Sequence, residues 1–252
     1  MLGDCCHHET VARILDIYVG DVPRLIFQWA DGSMLLPMAI ASQGSSGQAF
    51  SLAQKARIAL DMLSGIAHLH CRGIVHSTLR PSAVVVHFGP ERDPTHAQIL
   101  DLAGAAVLET VTEVSLIGSL EYLAPEVLLG CPAPSPMVDV WSAAAVMAFV
   151  FTGLSMFGQT PPADRHTAMG NICSVLGSMC PDDIANLSLL PHWSQLDCTP
   201  SPGTDWPAGL VRVRGPGADL PLRRKPVMSP ARLSLTTNPA HPLLLSAPDP
   251  YT

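Results

Sequence analysis

Between Gly73 and Val86 the chain reads GIVHSTLRPSAVVV, two apolar runs around a polar turn that carries His76, Ser77, Thr78 and Arg80. Pro81 inside the turn and the apolar flanks describe a short loop between two buried segments. Such a loop has the build of a catalytic one, yet it holds no carboxylate and no amide. An imidazole between apolar runs reads first as a buried, satisfied histidine. Asp101, in ILDLAG, is a lone carboxylate at a turn, where capping is its ordinary use. Cys5, Cys6, His7 and His8 are metal-capable side chains in sequence. Four successive residues of one segment cannot easily converge on one tetrahedral ion, so an ordinary N-terminal loop is expected. ASQGSSGQ, from Ala41 to Gln48, follows no strand and lacks a Lys, so it reads as a mobile linker rather than a phosphate cradle.

The elements that would position these groups follow from composition and periodicity. The 252 residues are 48% hydrophobic and only 14% charged, against a typical charged share of about 25%, so the chain has few solubilising groups and is expected to lean on partners. A net charge of −7 excludes broad binding to nucleic acid or to an anionic membrane, which need a basic footprint. Seven cysteines without a CxxC point to a reducing compartment, and a cytoplasmic location, with the nucleus as the alternative, is expected. The charge-free run from Val140 to Gly158 is close to bilayer length. It begins beside Asp139 and contains Trp141, Ser142 and two glycines, which favours a buried core helix.

Residues 11–17 and 24–29 are β-rich runs around Gly20 and Pro23 and predict a hairpin. Residues 51–71 predict a helix capped by Ser51, with Leu52, Ala56, Ala59, Leu60, Leu63, Ile66, Ala67 and Leu69 on its apolar face. A second hairpin is expected from 83–88 and 98–102, then a loop to about Leu116, and helices over 139–152 and 167–176, the latter stopped by Gly177. Beyond Pro191 the chain is rich in Pro and Gly and reads as irregular.

Read in order, these pieces resemble the larger lobe of a eukaryotic protein kinase, in the cyclin-dependent-kinase-like group. HSTLRPSA, from His76 to Ala83, is similar to the catalytic loop HRDLKPxN. ILDLAG looks like the DFG strand and turn, with Ala103 where the family has Gly. GSLEYLAPEVLLG carries an intact APE at Ala124, Pro125 and Glu126. DVWS, from Asp139, resembles the start of the buried helix that follows, and NICSVLGSMCPDDIANLSLLPHW resembles the segment reading IFxxLGTP and then LPxW. RLIFQWAD, from Arg24 to Asp31, looks like the last small-lobe strand running into the hinge.

The resemblance implies an α+β, protein-kinase-like fold: a remnant of the small lobe and hinge over 1–31, then a large lobe over 32–252 with an irregular insert at about 194–232. It also implies which groups are lost. The family's base falls on Thr78 and its magnesium-binding Asn on Ala83. Neither side chain can accept the substrate proton as an Asp does or give a hard cation a carbonyl oxygen. Asp101 is the metal ligand that remains. The strands of the phosphate cover and its Lys would lie before Val11, where ten residues stand. Hinge recognition of adenine would fall to the backbone of Gln28 and Ala30 behind Phe27. Ser77 replaces the Arg that would dock a phosphate on Thr110, Thr112 or Ser115.

Asp139 is expected to hold the loop's backbone, with His76 in the same network. The Arg that clamps Glu126 in this family falls on Pro242, which leaves Arg223 or Arg224 as substitutes. The expectation is a pseudokinase that scaffolds or regulates a protein partner, an active kinase or a second copy, without a cofactor, nucleic acid or membrane. The alternative is a fragment of a serine/threonine kinase that uses ATP and Mg, and the third reading is a relic without function.

Overall fold

The computed structural model describes residues 8–20, 24–46, 49–90, 93–108, 119–132, 135–158, 160–177 and 185–195. All of them belong to the compact unit Met1–Pro207. Two strands open it, β1 (Ile14–Tyr18) and β2 (Arg24–Phe27), paired antiparallel as the alternating apolar residues predict. A short β3 (Met34–Leu35) leads into helix α1 (Leu36–Ser46). This helix corrects the linker expected over 41–48. Leu36 and Ala39 are fully buried, and the Gln43 side chain accepts from the Phe50 amide at 2.8 Å. Packing of LPMAI therefore carries the helix into a Gly/Ser stretch that has little helical preference of its own.

Helix α2 (Leu52–His70) begins at a full capping box: Ser51 Oγ accepts from Gln54 N, and Gln54 Oε1 accepts from Ser51 N. Its buried face differs from the expected one. Ile58, Ala59, Met62, Ile66 and Leu69 are buried, whereas Leu52, Leu60 and Leu63 are exposed. The stripe is rotated because Asp61 lies inside it, satisfied by Arg57 Nε and by the Ala97 amide, both at 2.9 Å. Gly65 allows the close approach, since a Cβ there would lie 2.8 Å from Thr10 O.

Strand β4 (Ile74–Val75) follows helix α2, and β5 (Val84–Phe88) pairs with β6 (Pro94–Ile99) in a second hairpin. Its return strand lies earlier than the expected 98–102, because the turn already closes where Gly89 N donates to Asp93 O at 2.9 Å. A two-residue strand β7 (Ala106–Val107), inside the segment read as loop, pairs antiparallel with β4. The sheets are therefore β1-β2, β3-β5-β6 and β4-β7. Helices α3 (Pro125–Leu128), α4 (Met137–Thr152) and α5 (Arg165–Leu176) complete the described elements together with short 3₁₀ turns. α4 is the charge-poor helix the sequence predicts. It buries Val138, Ala143, Ala145, Val146 and Val150 and stops at Gly153 in the left-handed region. No described helix is long and apolar enough to cross a membrane. The main core joins α2, α4 and α5 to Val84 and Val86 of β5.

Candidate functional site

Pairing places two loops face to face. β4 pairs with β7 and β5 with β6, so the loop 76–83 between β4 and β5 lies against the loop 100–105 between β6 and β7. Leu100 N donates to Ala83 O at 2.9 Å, and His76 Nε2 donates to Leu100 O at 3.1 Å. Because a carbonyl can only accept, the His76 proton sits on Nε2 and Nδ1 is left as an acceptor, facing Thr78 N at 3.4 Å. His76 is fully buried, as expected for a satisfied histidine.

Asp139, in the first turn of α4 and completely enclosed, organises the loop. Its Oδ2 accepts from His76 N at 2.8 Å and from His70 Nε2 at 2.8 Å, and its Oδ1 accepts from Ser77 N at 2.8 Å. These bonds hold Ser77 at φ 65, a left-handed conformation that costs a non-glycine residue about 1 kcal/mol. The sequence pointed to Asp139 and His76. His70 was missed, although its place in the last turn of the helix just upstream of the loop was the available signal.

Thr78 is 5% exposed, and its side chain faces the second loop. A Cβ built at Gly104 would collide with Thr78 Cγ2, so a methyl group fills the space beside the turn. Gly104, rather than the position of Ala103, is where this chain requires the smallest residue. Arg80 takes an extended backbone before Pro81, and Asp101 stands at φ 67, a left-handed position that Asp tolerates. From these backbones Arg80 Nη2 donates to Asp101 Oδ2 at 2.9 Å. Both side chains are about a third exposed, so the pair contributes at most about 1 kcal/mol.

Mg²⁺, implied by the resemblance, does not fit this floor. Ala83 gives it only a buried methyl, and Asp101 already faces a guanidinium. Mg²⁺ requires near-octahedral oxygen coordination. Among the described residues no group of three or more His, Cys, Asp or Glu side chains is placed to hold a metal. Cys5, Cys6 and His7 lie outside the described residues, and the His8 ring packs at a 35° tilt against His68, 4.2 Å between ring centroids.

In the segment expected to form the hinge, Phe27 is half-buried while Gln28 and Ala30 are exposed. The Gln28 amide donates to Arg13 O at 2.8 Å, and Ala30 O accepts from Ser33 N at 3.2 Å. Burial pushes the Glu126 carboxyl above its usual range, and no cation pairs with it among the described residues. Arg223, Arg224 and Pro242, and likewise Thr110, Thr112 and Ser115, lie outside the described residues, as does the insert beyond its first two positions.

A protein kinase domain model matches residues 2–197. Mitogen-activated protein kinase 13 of Mus musculus is 28% identical over 247 residues, covering 97% of this chain and 64% of that protein. A probable cyclin-dependent kinase 8 of Dictyostelium discoideum is 25% identical over 202 residues, 75% of this chain and 52% of its own length. Among solved structures, the yeast RNA Pol II CTD kinase CTDK-1 complex contains a chain that matches at TM-score 0.65 and 19% identity, over 79% of this chain and 62% of that one. The likeness is one of fold.

Proposed function

The chain belongs to the protein kinase domain family, and from that membership we propose that it is a non-transferring member that works by binding another protein. One observation carries this reading: at the floor of the site, a buried Thr78 methyl, a buried Ala83 and an Arg80-bound Asp101 stand where phosphoryl transfer needs a base and two metal ligands. The group that holds the loop's backbone, the Asp139 carboxylate, is present and bonded to two loop amides. Selective loss of this kind supports a role that needs the fold and not the reaction.

The partner surface we assign is the β1-β2 hairpin. Leu15, Ile17, Tyr18, Val19, Ile26 and Trp29 are each 45% to 83% exposed there, a density of apolar surface that marks interaction sites. A protein partner is also in keeping with the solved neighbour, which is part of a complex. The cytoplasm or nucleus is the proposed location, with no cofactor required.

The test is transfer of labelled phosphate from ATP with Mg²⁺ to a protein acceptor, alongside a thermal titration with the same nucleotide. No label above background is expected, and transfer by the purified chain overturns the reading. A second reading rests on length: the chain spans 64% of the mitogen-activated protein kinase relatives it matches. In that reading it is a piece of a longer serine/threonine kinase, and a longer natural protein containing it transfers phosphate where this chain does not.

A further inference from the structure

The charge arithmetic of the floor points to a cation that is already built in. Of the groups facing one another across the two loops, Asp101 brings one negative charge and Arg80 one positive charge, joined at 2.9 Å. Asp139, the next carboxylate, is enclosed and committed to two backbone amides and His70. Thr78 and Ala83 add no charge. The floor is therefore balanced without an ion from solution.

We propose that the Arg80 guanidinium replaces the divalent cation at this site, so that Asp101 is a partner of Arg80 and not a metal ligand. Three features make the pairing a property of the fold and not a chance meeting of two surface side chains. Pro81 restricts the Arg80 backbone to the extended region. Asp101 is aimed from a left-handed residue immediately after the Leu100 amide bond to Ala83 O. Arg80 Nε is also enclosed, with no hydrogen-bond partner among the described residues, so part of the guanidinium lies inside the site. A divalent ion would have to displace this group and would then find a single carboxylate, because Ala83 offers no oxygen. The inference deepens the non-transferring reading and rests on the same floor, but the two can fail separately.

The test uses Mn²⁺ alone as the probe on the full isotope-labelled chain, reading paramagnetic broadening of the Asp101 and Leu102 amides. In the parent these amides are expected to broaden no more than exposed carboxylate sites elsewhere. In Arg80→Gln and in Arg80→Met they broaden at several-fold lower Mn²⁺, and adding Asp101→Asn removes the gain. The two Arg80 variants replace a side chain that is a third exposed, and matching amide spectra elsewhere verify the fold. Broadening in the parent equal to that in the variants, or no gain in either variant, overturns the replacement. Neither result touches the phosphate-transfer assay, which alone decides the broader reading.

Discussion

The loop floor and the β1-β2 hairpin are built on opposite terms. At the floor, backbone amides, an imidazole and a buried carboxylate saturate one another, and Asp139 alone accepts three hydrogen bonds with no exposed surface. The hairpin is a two-stranded sheet whose apolar side chains face solvent, and such a ribbon is marginal on its own. It is tied to the rest chiefly through the segment before it, where Ala12 N donates to Ile99 O at 2.7 Å and Ile99 N donates to Thr10 O at 2.9 Å. A loop region can thus stay rigid because its polar groups hold one another. A region that is well formed locally can still lack a cover.

If that contrast is right, the largest effect comes from the floor. Asp139→Ala strands two buried amides and His70, and urea unfolding should show a loss of roughly 3–5 kcal/mol, with Asp139→Asn losing less because one acceptor oxygen remains. A small effect would mean that the loop is held by something else.

Next in size is the contact between the loops. Gly104→Ala should cost about 1–3 kcal/mol through overpacking against Thr78, and much of that should return in the Thr78→Ala background. Purely additive losses would show that Thr78 does not occupy that space.

The link between the two regions gives a pH-dependent effect. Buried His87 donates from Nε2 to Gln98 Oε1 (3.0 Å), its Nδ1 accepts from Ser33 Oγ (2.7 Å), and it stacks on His96. Burial first, and the neighbouring His96 second, lower its pKa from 6.5, with the Gln98 bond opposing. The unfolded chain then binds a proton that folded His87 refuses. Stability should fall as pH drops through 6.5 until the lowered folded value is passed. His87→Gln should flatten that segment of the curve, and an unchanged slope would remove His87 as its source.

The smallest change in stability is expected at the hairpin. Ile17→Lys or Ile26→Lys should alter unfolding by within about 0.5 kcal/mol, yet lower the mass seen by light scattering if copies associate through this surface. A monodisperse monomer in the parent would count against an uncovered, partner-seeking hairpin.

Much of this was legible beforehand, for particular reasons. The Ser51-x-x-Gln54 box and the charge-poor run after Asp139 are local signals, and both became helices close to the expected bounds. The motif order pointed to the fold, which the family match confirms. Thr78, Ala83 and Asp101 could be named from position alone. The helix over the Gly/Ser stretch, the rotated face of α2 and strand β7 were not legible, because each depends on a distant partner: core packing, the Ala97 amide and Ile74–Val75.

By itself the sequence determined which side chains are present at the floor, and hence that Thr78 and Ala83 bring no carboxylate and no amide to it, because those are matters of residue type. Only the tertiary structure decided that Arg80 meets Asp101, that Thr78 lies against Gly104 and that His70 joins Asp139. Those pairs are 21, 26 and 69 residues apart in sequence, as Arg80 and Asp101, Thr78 and Gly104, and His70 and Asp139. The first two contacts are set by how β4–β7 and β5–β6 pair and the third by how α2 packs on α4, which no local pattern records.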